Sequence, residues 1–141
     1  MEFYIQNQLV TEQEIQDFER GYDLTLPNDY KVDLLKYNGG VVTSSYLYFE
    51  HYDSGIRLAS FQPLKYGYDT IEKSYEDSRD YLPEKYINIG YTGTGNICIS
   101  LQEQNYGAIY VYYSEVELAF IAASFTEFFR GLVDYTDEFE E

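Results

Sequence analysis

Few residues in this chain have the type and spacing to do chemistry, and each of them has a simpler reading. His51 is the single histidine and lies beside Glu50 and Asp53. Those three could share a metal ion, but three ligand-type side chains at a strand end read equally as a solvated terminus, and that reading is preferred. Cys98 sits between Ile97 and Ile99 on an alternating strand, where a small buried hydrophobe is the usual role. A Cys–His nucleophile would need His51 to reach it. Gly93-Thr94-Gly95 suggests a phosphate cradle, yet such a loop needs Gly-Lys-Ser/Thr opening a helix. Here Asn96 leads into the strand Ile97-Cys98-Ile99, so a hairpin loop is the better reading. The 25 acidic residues could furnish a glycosidase-like pair, but their spacing singles out no two. The residues point to a non-catalytic protein that uses neither cofactor nor metal.

What remains is a surface. The chain carries 25 acids against nine bases, a net charge of −16, with 18 Tyr, nine Phe and no Trp. Such a charge repels phosphate backbones and anionic membranes, which disfavours nucleic acid and lipid as direct partners. It steers basic proteins instead, chiefly through association rate. Tyrosine supplies a large apolar ring with a polar tip and is enriched at interface cores. The candidate contact residues follow from this pairing. Tyr46, Tyr48 and Glu50 share a strand face opposite Leu47 and Phe49, and Tyr52 and Asp53 follow directly. Tyr112, Glu115 and Glu117 occupy a second strand–loop–strand region, while Glu76, Asp77 and Asp80 line a helix. The carboxylates would meet Lys and Arg of a basic partner, with tyrosines as anchors. The competing reading puts half of these tyrosines in the core and leaves the acids solvated.

The elements that must position these residues are marked by punctuation. Thr11-Glu12-Gln13-Glu14 is a capping box that opens a helix over about residues 11–20, stopped near Gly21. Pro27 opens a second helix, running to Tyr37, that Asn38-Gly39-Gly40 ends, because Asn and Gly tolerate the left-handed conformation of a C-cap. Asp69-Thr70-Ile71-Glu72 starts a third helix closed by Pro83, and Ser124-Phe125-Thr126-Glu127 opens a last one. Between them the hydrophobic period changes from 3.6 to 2, giving about six strands. The predicted fold is α+β, a mostly antiparallel sheet packed against helices. At 141 residues one domain is expected, without disulfides since Cys98 is alone. The first residues, Met1-Glu2-Phe3-Tyr4-Ile5-Gln6, lack the basic start and apolar run of a signal peptide, so a cytoplasmic location is expected.

The order of these segments resembles the SUKH superfamily, the Smi/Knr-like proteins. The resemblance is carried by Ile15 and Phe18-Glu19, by Leu26-Pro27-x-x-Tyr30 and by Asn38-Gly39-Gly40. It continues through Leu82-Pro83-x-x-Tyr86, Ile89-Gly90, Gly95-Asn96-Ile97-Cys98, Gly107-x-Ile109-Tyr110 and Ser124-Phe125-x-x-Phe128. It implies a single domain with a core over about residues 11–134 and an acidic tail over 135–141. It also implies a role: bacterial members are mostly immunity proteins that neutralise toxin domains of polymorphic or contact-dependent systems, many of them nucleases. The implied partner is a cognate toxin domain, expected from the charge of this chain to be basic, and exposed strand edges leave the expected state a monomer or weak homodimer. The alternative is a regulatory scaffold or adaptor of the Smi/Knr type that docks a cellular protein.

Overall fold

In the computed structural model the backbone is described at residues 3–4, 7–51, 54–93, 95–113 and 117–134, and side chains at 7–41, 56–93, 95–113 and 118–133. Helix α1 spans Glu12–Tyr22 and begins as its capping box requires. Thr11 Oγ1 accepts from the Glu14 N–H at 3.2 Å, and the Glu14 carboxylate accepts from the Thr11 N–H at 3.0 Å. The helix does not stop at Gly21, which lies inside it. The stop is Asp23, in the left-handed region at φ 54°, where a short polar side chain is tolerated. Glu14 also holds the segment at Lys65 and Tyr66, accepting from Lys65 Nζ at 2.7 Å and from the Tyr66 hydroxyl. Those bonds, with the one from Thr11, hold its carboxyl down to about 2.

Helix α2, Asn28–Tyr37, follows Pro27 directly and ends at Asn38, also left-handed at φ 46°. Asn38 does more than cap. Its side chain is fully buried, accepts from the Leu64 N–H at 2.7 Å, and donates to the carbonyls of Gln8 at 2.8 Å and Leu64 at 3.0 Å. Gly39, at φ 81°, lets this corner approach the next segment: a Cβ there would stand 2.7 Å from the Gln62 backbone.

The strands are β1 (Phe3–Tyr4), β2 (Gly40–His51), β3 (Ser54–Phe61), β4 (Tyr86–Thr92), β5 (Asn96–Ser100), β6 (Ile109–Tyr113), β7 (Glu117–Ala122) and β8 (Leu132–Asp134). They form one antiparallel sheet in the order β1-β2-β3-β4-β5-β6-β7, with β8 also pairing β2. The six expected strands are present. The two additional ones, β1 and β8, are two- and three-residue segments that share one edge of β2, β1 at Val41–Val42 and β8 at Tyr46–Tyr48. The third helix, α3 (Ile71–Asp77), ends in a 3₁₀ turn at Ser78–Asp80 before Pro83. The last, α4 (Phe125–Gly131), is capped by Ser124 and passes straight into β8 at Leu132.

Helices α1, α2 and α4 cover one face of the sheet. Ile15 and Phe18, Tyr30 and Leu34, and Phe125 and Phe128 pack there with Ile87, Ile89, Ile97, Ile99, Ile109, Val111 and Ile121. Each such buried side chain contributes about 1.5–3 kcal/mol relative to exposure. The strands thus carry isoleucine and valine toward the helices, and their alternate positions turn the other way.

Candidate protein-binding face

The alternate positions build a second, smaller apolar cluster on the face away from α1, α2 and α4. Leu82, Tyr86 and Cys98 are buried in it, and Tyr110, Tyr112 and Leu118 pack against them half-buried. Register makes the rows. Asn88 stands opposite Cys98, Cys98 opposite Tyr110, and Tyr110 opposite Phe120. The neighbouring row runs Tyr91, Asn96, Tyr112, Leu118. The rings touch across strands: Tyr86 to Tyr110 at 5.4 Å between centroids, Tyr110 to Phe120 edge-on at 5.7 Å, and Tyr81 to Tyr112 at 5.0 Å.

Polar bonds fix this aromatic surface from beneath and from one end. Asn105 Nδ2 donates to the Tyr86 hydroxyl at 2.7 Å and to the Tyr110 hydroxyl at 3.0 Å, and its Oδ1 accepts from Ser100 Oγ at 2.6 Å. Asn88 Nδ2 lies 3.1 Å from Ser74 Oγ and 3.3 Å from the Tyr81 hydroxyl, anchoring α3 and its 3₁₀ turn to β4. Its Oδ1 accepts from Cys98 Sγ at 3.0 Å. Burial pushes the Cys98 thiol up to about 12, so at neutral pH it is a packed thiol and not a thiolate. Tyr86 is buried and Tyr110 and Tyr112 are half-buried, while Phe120 is left 52 % exposed and Tyr81 40 % exposed. A large ring exposed on an ordered strand is available for contact with another molecule.

Carboxylates flank the face on one side. Asp77 ends α3 and Asp80 ends the 3₁₀ turn, both exposed, and Asp80 immediately precedes Tyr81 on the ring row. Of the sequence-chosen residues, Tyr112 and Asp80 are therefore brought together. Glu76 is not with them. It accepts from the Tyr22 hydroxyl at 2.6 Å, on the side facing α1, and that bond raises the Tyr22 pKa to about 12. Tyr46, Tyr48, Glu50 and His51 lie on β2, three strands away from β5, and Glu117 opens β7 opposite Tyr113; their side chains lie outside the described residues. Tyr52, Asp53 and Glu115 lie outside them altogether. Sequence reasoning overlooked Tyr81, Tyr86, Tyr110 and Phe120. The available signal was the alternation itself, since Tyr110 and Tyr112 interleave with Ile109 and Val111.

Among the described residues, no three His, Cys, Asp or Glu side chains gather as a metal ion would require. Nor does any helix there have the length and apolar character to cross a membrane. The hairpin reading of Gly93-Thr94-Gly95 fits the geometry around it: β4 and β5 pair antiparallel on either side, and the Thr92 N–H donates to the Gly95 carbonyl at 2.8 Å.

An antiparallel sheet with α1, α2 and α4 on one face and an aromatic opposite face defines a small α+β fold. Residues 9–131 match the SMI1 / KNR4 family (SUKH-1), and the chain belongs to that family. It is 35 % identical over 101 residues to YnaB, an uncharacterised protein of Bacillus subtilis (strain 168). That match covers 72 % of this chain and 57 % of the relative, so the chain spans little more than half of that protein's length.

Proposed function

We propose that this chain is an immunity protein that binds a cognate toxin domain in the cytoplasm and blocks its active surface. The observation that carries the reading is the aromatic face away from α1, α2 and α4, with Phe120 and Tyr81 exposed on it and Asp80 next to Tyr81. Membership of the SUKH-1 family supports it, as does the net charge of −16, which favours a basic partner such as a nuclease domain. The proposed mechanism is steric occlusion with charge complementarity. The rings fill apolar pockets of the partner, and the acids pair with lysines and arginines that would otherwise hold phosphate. The protein performs no chemistry in this account, needs no cofactor and acts as a single domain, as a monomer or a weak homodimer. It touches neither nucleic acid nor membrane directly. The remaining sequence-chosen residues, Tyr46, Tyr48, Glu50, Tyr52, Asp53, Glu115 and Glu117, are proposed as further partner contacts.

The test is a co-expression rescue. The C-terminal domain encoded immediately upstream is induced in a sensitive bacterial host, with and without this protein. Rescue accompanied by a stable complex on gel filtration supports immunity. Toxicity unrelieved by folded protein rejects that pairing, and a non-toxic neighbour favours a Smi/Knr-type scaffold instead.

A further inference from the structure

A pocket of about 190 Å³ opens where the segment after β3 passes β4, at the border of the face described above. Ser60, Phe61, Gln62, Tyr68, Asp69 and Tyr91 are among the residues lining it, and none of the lining residues described is basic. Its place follows from register. Tyr91 stands opposite Asn96, and Asn96 opposite Tyr112, so the pocket continues the row of Tyr112 and Leu118.

The chemistry offered there is one-sided. Gln62 is 2 % exposed, and its Nε2 lies 3.4 Å from both the Asp69 carbonyl and the Asp69 carboxylate. Both of those groups only accept, so the amide orientation is determined and Oε1 points elsewhere. That oxygen is buried and has no hydrogen-bond donor among the described residues. The Asp69 carboxylate is exposed, with one oxygen accepting from the Tyr91 hydroxyl. Burial and that carboxylate both push the Tyr91 pKa up, keeping the phenol a neutral donor. Tyr68 is 97 % exposed, an aromatic ring that the fold does not use.

An exposed carboxylate and two tyrosine rings, with no basic residue among the described lining, form the complement of one side chain. Arginine carries a planar fork of donors that can meet two acceptors at once and a weakly hydrated plane that stacks on aromatic rings. Lysine offers a point charge and no plane. We infer that this pocket receives an arginine side chain of the protein partner, its guanidinium donating to the two oxygens of the exposed Asp69 carboxylate and stacking on Tyr68. The inference rests on the reading that the chain binds a basic protein, and it names the residue of that partner which seats beside the aromatic face.

The probe for the test is N-acetyl-L-arginine methylamide, titrated into the ¹⁵N-labelled full chain and followed by amide chemical shifts. The neutral isostere N-acetyl-L-citrulline methylamide is the control. Saturable shifts at Gln62, Tyr68, Asp69 and Tyr91 are expected with the arginine probe. Tyr68→Ala should weaken binding about fivefold without altering the fold, since the ring is exposed, and the citrulline probe and Asp69→Asn should each weaken it at least as much. The inference is overturned by an absence of saturable shifts at these residues, by equal binding of the citrulline probe, or by equal binding to both variants. The outcome is separable from the rescue experiment. Probe binding without rescue removes immunity and leaves the pocket, whereas rescue without probe binding removes the pocket and leaves immunity.

Discussion

Asn38 ties together three segments, and replacing it in two ways separates its two roles. The side chain is fully buried, accepts one hydrogen bond from Leu64 at 2.7 Å and donates two, to Gln8 at 2.8 Å and Leu64 at 3.0 Å. Its backbone is left-handed at φ 46°. Asn38→Gly keeps the backbone at ease but leaves the Leu64 N–H and two carbonyls without these partners. An unpaired buried group costs about 1–3 kcal/mol, and carbonyls suffer less than an N–H, so a loss of roughly 3 kcal/mol is expected. Asn38→Ala adds the strain of an ordinary side chain in the left-handed region, about 1 kcal/mol more. Against a total stability on the order of 5–15 kcal/mol, either change is large. Urea unfolding of the three proteins measures both differences, and the glycine variant should melt about 10 °C lower. A glycine variant within about 1 kcal/mol of the wild type would refute the hydrogen-bond account. An alanine variant as stable as the glycine variant would refute the backbone account.

Two further substitutions should raise stability. Gly21 lies inside α1 with open space where a Cβ would stand, so Gly21→Ala should stabilise by about 0.5–1 kcal/mol in thermal or urea unfolding. Asp33 is half-buried on α2, and burial raises its carboxyl from 3.8 to about 7, partly offset by Lys36. A raised acid disfavours the charged form in the fold, so stability should fall as pH rises from about 4 to about 7. After allowance for its partial exposure, Asp33→Asn should gain on the order of 1–2 kcal/mol above pH 7 and nothing below pH 4, as unfolding at the two pH values will show.

Much of the fold was legible because its signals are local. Thr11 with Glu14, Ser124 with Glu127, and Pro27 with Asn38-Gly39-Gly40 announce helix ends within one turn of the residues that form them. Gly21 misled because a helix can run through a glycine when the next residues still bond, and Asp23 supplied the left-handed stop. Strands β1 and β8 are too short to show any alternation, and only β2's long edge recruits them. The candidate face was half legible. Tyr112 follows from its alternation with Val111, but the aim of Glu76 depends on Tyr22, 54 residues earlier in the chain. The pocket proposed for arginine had no sequence signal, because Asp69 meets Tyr91, 22 residues later, only once the segment after β3 packs beside β4.

The central claim is that the aromatic face flanked by Asp77 and Asp80 holds a basic protein partner. Once a toxin domain has been recovered by rescue, its dissociation constant should be measured by calorimetry against the wild type and against Phe120→Ser combined with Asp80→Lys. Both residues are exposed, so the melting temperature should hardly change. Loss of an exposed ring and reversal of a flanking charge should together weaken binding by about 30- to 150-fold, from roughly 2 kcal/mol for the ring and up to about 1 kcal/mol for the charge. Binding within about threefold of the wild type, with the fold intact, would contradict the claim and place the interface elsewhere.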